Sequence, residues 1–127
     1  MKLFTLESSI EHILYQWGQE YGGGNINPDH RHKVQPVFRM IVTIGNSADR
    51  AEGQVLIVDG EPERAEKEML VHKINNRIAW EIANEVYGYR KSINKVSKDR
   101  GISYDRTQEY LNLARERIAK EFFEGVF

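Results

Sequence analysis

The spacing of apolar positions divides the chain into four blocks, and the first is residues 1–24. Apolar side chains recur there at three- and four-residue steps over Leu6–Tyr21, which predicts a helix with one buried face. Ser8 and Glu11 have the spacing of a capping box, in which side chains and backbone amides at a helix start bond each other. Three consecutive glycines at positions 22–24 predict that the helix ends there in a flexible joint.

The second block, residues 25–60, holds two short runs rich in Val and Ile, Phe38 to Ile44 and Gln54 to Asp59. Polar residues separate the two runs, which together fit a β-hairpin. The first run equally fits a short helix, because periodicity does not distinguish helix from strand over so few residues. Strand and helix both stay open for residues 37–59.

The third block, residues 61–88, carries the longest helical pattern. Pro62 suits a first helical position, and the acidic residues around it favour a helix amino end. Five aliphatic residues then fall four apart, namely Leu70, Ile74, Ile78, Ile82 and Val86. The spacing predicts one long amphipathic helix that ends at Gly88.

The fourth block, residues 89–127, predicts two helices around a glycine. Ser92 to Asp99 fits a short helix, Gly101 breaks it, and Ser103 is a good N-cap for a further helix. That further helix has inward positions at helical spacing, namely Thr107, Tyr110, Leu111, Ala114, Ile118 and Phe122. A short helix, a glycine turn and a longer helix form the plan of a helix-turn-helix. The blocks together predict a single, mainly α domain with a C-terminal helix-turn-helix and, if the second block forms strands, a short β-hairpin.

Composition places the chain among single-domain globular proteins. It has 127 residues, 40% of them hydrophobic and 29% charged, which is enough to bury one core and too few for two ordinary domains. The absence of cysteine excludes disulfide scaffolds, thiolate zinc sites and cysteine nucleophiles. The longest apolar run, Val55 to Val58, is far shorter than the ~20 residues that span a bilayer. A cytoplasmic protein without a membrane segment is therefore predicted.

Charge is distributed unevenly along the chain. Residues 1–86 hold nine basic and thirteen acidic side chains, whereas residues 87–127 hold nine and six. The stretch from Arg90 to Arg106 alone holds six basic side chains and only two acidic ones. Because the local field governs encounter, this stretch fits attraction of a polyanion although the net charge of the whole chain is −1. From charge alone, a solvated basic face is the simpler interpretation.

In a helix-turn-helix the first helix braces the second, whose amino-terminal side chains enter the major groove of DNA. The residues predicted to bind DNA are Lys91, Lys95, Arg100, Ser103, Tyr104, Asp105, Arg106 and Gln108. Arg106 and Gln108 have donors suited to guanine and adenine edges, while the two lysines and Arg100 are expected near phosphates. An ordinary helical hairpin with a glycine turn is the alternative for the same pattern.

The segment ANEVYGYRKSINKVSKDRGISYDRTQEYLNLARERIAKEF resembles the carboxyl-terminal half of phage antitermination proteins of the Q type. The amino-terminal LESSIEHILYQWGQEYGGG, with its Trp17-Gly18 pair, is similar to the same family. The turn at Gly101 also resembles the promoter-reading module of sigma factors. One branch of the family has a cysteine-based zinc site, so a chain without cysteine resembles the zinc-free branch.

This resemblance implies a phage protein of late gene expression that binds double-stranded DNA near a late promoter, in the cytoplasm of the bacterial host. Such proteins load onto host RNA polymerase paused there with its sigma factor, and the enzyme then passes terminators. The resemblance implies that the helix after Ser103 reads DNA with Tyr104, Asp105, Arg106 and Gln108, without catalysis or a cofactor. Another helix-turn-helix regulator, or a protein-interaction adaptor that binds no DNA, is the alternative.

Weaker candidates for chemistry lie elsewhere in the chain. His30 and His32 stand two apart in a loop, but no third metal ligand has diagnostic spacing, so a solvated loop is the simpler interpretation. Glu81 and Glu85 lie four apart on a helix face, and with Asp59 they form the candidate site of a divalent-metal nuclease. The ordinary interpretation of that pair is a solvent-facing acidic stripe. We therefore expect no metal site and no enzymatic activity.

Overall fold

The computed structural model describes residues 3–23, 38–44 and 54–123, and within these residues the chain is mainly helical. In chain order the elements are β1 (Leu3–Thr5), α1 (Leu6–Tyr21), β2 (Phe38–Ile44), β3 (Gln54–Gly60), α2 (Pro62–Asn75), α3 (Arg77–Ala83), a π-helical segment (Asn84–Gly88), α4 (Ile93–Arg100) and α5 (Tyr104–Phe123). The helices supply most of the core, and the strands form one sheet next to α1.

The sheet has the strand order β1-β2-β3. β1 runs parallel to β2 with Leu3 opposite Ile41, and β2 runs antiparallel to β3 with Ile41 opposite Ile57. Both runs for which the sequence left strand and helix open are therefore strands, in keeping with their many β-branched residues. Val42 is fully buried and joins the sheet to the helical core.

A capping box starts α1. The Thr5 Oγ1 accepts a hydrogen bond from the Ser8 N–H at 3.0 Å, and the Ser8 Oγ accepts one from the Thr5 N–H at 2.9 Å. This pairing corrects the predicted box of Ser8 with Glu11, because Ser8 stands three residues inside the helix rather than at its cap. The predicted buried face is confirmed, with Leu14 and Trp17 completely inside.

The core lies where α1, α2, α3 and α5 meet. Its largest fully buried side chains are Trp17, Tyr87, Phe123, Ile13, Leu14, Met69, Ile82, Leu111, Ile118, Val42 and Val96. α5 has buried side chains at intervals from Thr107 to Phe123. The helix is thus anchored along most of its length, and only its first turn projects from the core.

Asn76 interrupts the helix predicted for residues 61–88, which corrects that prediction. Asn76 has an extended backbone (φ −151°, ψ 90°), and its Oδ1 accepts a hydrogen bond from the Ala79 N–H at 3.1 Å. An asparagine side chain competes in this way with the main-chain bonds of a helix and caps a new one. The segment is therefore two helices, α2 and α3, followed by a π-helical turn.

The predicted apolar stripe of this segment is only partly buried. Ile82 and Val86 lie in the core as predicted, but Leu70 is 49%, Ile74 84% and Ile78 50% exposed. α2 instead buries Pro62, Ala65, Met69 and His72. The buried face of α2 is thus offset from the four-residue repeat in the sequence.

The glycines of the first block make a close backbone contact with the π-helical segment. The Gly23 N–H donates to the Asn84 Oδ1 at 2.7 Å. A side chain at Gly18 would collide with the main-chain carbonyl of Tyr87, so this approach requires glycine. Gly23 is therefore a packed contact where the sequence predicts a flexible joint, and residue 24 lies outside the described residues.

Candidate nucleic-acid interface

A short turn with a left-handed glycine joins α4 to α5. Gly101 has φ 67° and ψ 33°, and the Ile102 N–H donates to the Ser97 carbonyl at 3.0 Å. This bond closes the end of α4 as in a Schellman motif, whose left-handed position favours glycine. At the other end of α4, the Ser92 Oγ accepts from the Lys95 N–H at 3.1 Å. Both ends of α4 are thereby fixed, and with them the point at which α5 begins.

The first turn of α5 is capped and exposed. The Ser103 Oγ accepts from the Arg106 N–H at 3.0 Å, and the buried Thr107 hydroxyl donates to the Ser103 carbonyl at 2.9 Å. Tyr104 is 46% exposed, the Arg106 side chain is 58% exposed, and Asp105 also faces solvent. Three of the four side chains predicted to face bases thus lie on one exposed helical turn.

Arg106 is held along the surface of its own helix. Its Nη1 lies 3.0 Å from a carboxylate oxygen of Glu109, and its guanidinium stacks 5.0 Å from the centre of the Tyr110 ring. A hydrogen bond to the Tyr110 hydroxyl, and then the pairing with Glu109, raise the pKa of Arg106 above its ordinary value. The side chain therefore stays charged, and in the free protein it is paired with Glu109.

Gln108, the fourth of these side chains, is half-buried and bonded at both ends of its amide. Its Nε2 donates to the Tyr104 hydroxyl at 3.1 Å, and its Oε1 accepts from Arg115 Nη1 at 3.1 Å. The same Nη1 also donates to Asn112 at 3.0 Å. Gln108 is thus part of a hydrogen-bonded row along α5 rather than a free side chain.

That row continues into the core through Arg115. The Arg115 Nε donates to Glu11 of α1 at 2.6 Å and to the Tyr87 hydroxyl at 3.0 Å. The Tyr87 hydroxyl donates to the same Glu11 oxygen at 2.7 Å. Burial, and then the charge of Glu11, raise the pKa of the Tyr87 phenol far above its ordinary value, so it stays a donor. The sequence gives no local signal for this trio, because its members are far apart in the chain.

Arg100, predicted to contact phosphate, is instead enclosed by acidic residues of this chain. Its Nε donates to Glu85 at 2.6 Å, and its Nη2 donates to Glu81 at 3.1 Å. Burial acts to lower the pKa of Arg100, but the hydrogen bonds of Glu85 and Glu81 raise it overall. The Arg100 hydrogen bond in turn lowers the pKa of Glu81. Arg100 is therefore a bridge between α4 and the segment before it.

The two lysines predicted near phosphates are also partly paired. Lys91 Nζ lies 3.6 Å from Glu85 and 3.9 Å from Asp99, and Lys95 Nζ lies 3.2 Å from Asp99. Lys98 was not among the residues predicted to bind DNA, but it is exposed and forms no ion pair with any residue in the described ranges. The count of basic residues over Arg90 to Arg106 includes Lys98 but does not show that its ammonium is unpaired within these ranges.

The remaining candidate sites are described only at Glu81 and Glu85. Glu81 and Glu85 face Arg100, and no group of three or more His, Asp or Glu suited to a metal ion occurs among the described residues. His30 and His32 lie outside those residues. The side chain of Asp59, the third member of the nuclease candidate, is not described either, so that candidate has no described geometry.

His72 is a buried histidine between α2 and α5. It is 3% exposed, and its Nε2 has no hydrogen-bond partner in the described part of the chain. Burial, and then the charge of Arg117, lower its pKa below the ordinary value of 6.5. His72 is therefore a neutral packing residue near neutral pH.

An apolar surface lies at the junction of α2 and α3. Its members are the exposed aliphatic residues Leu70, Val71, Ile74 and Ile78, and we call it the α2–α3 apolar face. On α2, Ile74 lies four residues after Leu70 and three after Val71, so these three side chains are neighbours on the helix surface. Such a group is more than the scattered exposure common on protein surfaces.

The chain was compared with protein families, curated proteins and solved structures. No family model, no curated protein and no solved structure matches the chain. Among the helices within the described residues, none combines the length and apolar character that crossing a bilayer requires.

Proposed function

We propose that this protein binds duplex DNA through the start of α5. The observation that carries the proposal is the exposed first turn of α5, where Tyr104, Asp105 and Arg106 face solvent while the rest of the helix is anchored in the core. A helix-turn-helix inserts the amino-terminal end of its second helix into the major groove, with the first helix as a brace. The capped turn at Gly101 supports the same arrangement here.

The charged side chains around this turn suit different roles in DNA binding. Lys95 and Lys98 are exposed on α4, where they suit contact with phosphates, which adds affinity without reading sequence. Arg106 suits a guanine edge, since its guanidinium has donors beyond the one that meets Glu109. In this proposal Arg100 holds α4 in place through Glu81 and Glu85 and does not bind DNA.

The particular role we propose is antitermination of late transcription in a phage, with host RNA polymerase and its sigma factor as partner. The resemblance of residues 6–24 and 83–122 to antitermination proteins of the Q type supports this role. The protein would act in the host cytoplasm without catalysis or a cofactor.

Two experiments test these proposals in turn. Selection from a randomised duplex library asks whether the protein enriches a sequence at all, and we expect one preferred site whose affinity falls as salt is added. Transcription with purified polymerase, on a template that carries that site before a terminator, tests the antitermination role. We expect more read-through transcript when the protein is present. A protein that enriches a site without increasing read-through would be a plain repressor or activator.

A second candidate, a protein-interaction adaptor, is favoured by the α2–α3 apolar face. Exposed aliphatic clusters of this kind mark protein contacts more often than chance. Replacing Ile74 with Ser should leave the fold intact, since the side chain is largely in solvent. If wild type enriches no DNA, the adaptor becomes the better assignment. If wild type enriches DNA and Ile74→Ser abolishes only read-through, the face contacts the transcription machinery.

A further inference from the structure

A continuous set of hydrogen bonds joins the buried side of α5 to its exposed first turn. Arg115 stands in the middle, bonded to Glu11 and Tyr87 through Nε and to Gln108 through Nη1. Gln108 is bonded in turn to the Tyr104 hydroxyl. Since Tyr87 is fully buried, one end of this set is fixed in the core while the other lies at the surface.

The direction of each bond follows from the chemistry of the groups. A guanidinium carries only donors, so the amide group that faces Arg115 must be the carbonyl oxygen of Gln108. The Nε2 of Gln108 therefore points to Tyr104, whose hydroxyl oxygen accepts the bond. A phenol that accepts through its oxygen keeps its own proton for a second partner. Tyr104 is 46% exposed, so that partner can come from solvent or from a ligand.

This arrangement changes what the first turn of α5 can recognise. A glutamine reads adenine with both ends of its amide, the oxygen accepting and the nitrogen donating. In the free protein one lone pair of the Gln108 oxygen is bonded to Arg115 and the Nε2 is bonded to Tyr104, so the amide is held along α5. Single acceptors in the major groove, namely guanine O6 and N7, adenine N7 and thymine O4, instead match a single donor such as the Tyr104 hydroxyl.

We propose that Arg115 is a positioning residue that withholds Gln108 from two-bond contact with adenine and makes Tyr104 the donor presented to an acceptor on a base edge. The proposal rests on the DNA-binding function proposed above. It adds that Tyr104 contacts the base edge and that Arg115 sets the orientation of the Gln108 amide. Glu11 takes part because it fixes the guanidinium of Arg115 from α1.

The first test uses the free protein, by NMR of the Gln108 side-chain amide. Arg115→Lys keeps the charge but loses the fork that holds both Glu11 and Gln108. We expect the two Gln108 amide proton signals to move and to exchange faster with water in this variant. Arg117→Lys is the matched control, because Arg117 lies on the same helix with 27% of its side chain exposed, against 26% for Arg115, and pairs with Glu68 instead. Unchanged Gln108 signals in Arg115→Lys would overturn the positioning role.

The second test repeats the duplex selection with the variants. We expect Arg115→Lys to gain preference for adenine at one position, by about tenfold in relative affinity, since a good two-bond contact gives discrimination of that order. Tyr104→Phe should lose, at one position, the preference for a base that has a hydrogen-bond acceptor on its major-groove edge over cytosine, which has none. A uniform loss of affinity in Tyr104→Phe would assign the hydroxyl to phosphate and overturn the base-reading part.

The possible results distinguish a failure of this inference from a failure of the proposed DNA binding. If wild type enriches a site and Arg115→Lys enriches the same site, only the inference fails. If wild type enriches none, the DNA-binding proposal fails and the inference with it. Should Arg115→Lys unfold, Glu11→Gln is the second variant, because it keeps the size of the side chain and removes the charge that holds Arg115. It is expected to move the same Gln108 signals, and unchanged signals there would count against the inference in the same way.

Discussion

Arg100 and Glu85 are joined by a hydrogen bond of 2.6 Å although they lie fifteen positions apart in the chain. Glu85 lies in the π-helical segment and Arg100 is the last residue of α4, so the bond ties the turn before α5 to the helices of the core. Glu81 adds a second carboxylate at 3.1 Å. The orientation of α4, and with it the start of α5, depends on this pair of acids.

Removing this bridge should cost measurable stability. We expect Arg100→Ala to lower the free energy of unfolding by about 1–3 kcal/mol, because Glu85 is mostly buried and loses its shorter charged contact, while Lys91 stays 3.6 Å away. Lys95→Ala is the control, since Lys95 and Asp99 form an exposed pair whose loss should cost less than about 0.5 kcal/mol. Urea denaturation measures both values, and equal losses in the two variants would contradict the bridging role.

The buried His72 should make stability depend on pH. Its pKa in the folded protein is below the ordinary value of 6.5, so the unfolded chain binds a proton that the folded protein does not. Stability should therefore be complete above pH 6.5 and fall as the pH drops below it, by at most about 1.4 kcal/mol per pH unit from this group.

NMR titration of His72 checks the direction of that shift, and a midpoint at or above 6.5 would contradict it. His72→Gln should make the fall of stability between about pH 6.5 and pH 5 shallower than in wild type. An identical slope in the variant would assign the effect to other groups.

Part of the fold was predictable because its determinants are local. The bounds of α1 coincide with the predicted Leu6–Tyr21, since a repeated apolar face and a glycine run are both visible in the sequence. On α5 the predicted inward residues Thr107, Leu111 and Ile118 are fully buried for the same reason.

What the sequence did not predict depends on contacts between distant segments. The aliphatic repeat of residues 70–86 continues through Asn76, and nothing in the repeat itself shows that the side chain of Asn76 caps a new helix there. The ion pair of Arg115 with Glu11 joins residues 104 apart, so no spacing rule finds it. The exposed start of α5 was predictable, whereas the partners that hold its side chains were not.

Two glycines should respond differently to the same substitution. Gly18→Ala should cost at least about 2 kcal/mol, because the new methyl group would collide with the rigid carbonyl of Tyr87. Gly101→Ala meets no atom within 4 Å, so its cost should be only that of a left-handed alanine, about 1 kcal/mol. Gly101→Asn should recover part of that cost, since asparagine tolerates the conformation better. Thermal denaturation compares the three, and a larger loss for Gly101→Ala than for Gly18→Ala would contradict the packing.

The proposed DNA interface predicts that the loss of Lys98 and the loss of Arg106 change DNA binding in different ways. Lys98→Ala should weaken binding to every duplex alike and reduce the slope of log affinity against log salt by about one, as expected for a lost phosphate contact. Arg106→Ala should relax the preference at one base pair by about 1–3 kcal/mol if it reads a guanine, and should change the salt slope less. Lys120→Ala is the control, because Lys120 is exposed near the far end of α5 and should leave both quantities unchanged. Titrations of the selected duplex and a scrambled one at several salt concentrations measure the difference. If Lys120→Ala weakens binding as much as Lys98→Ala, attraction is spread over the whole surface and the interface does not lie at the start of α5.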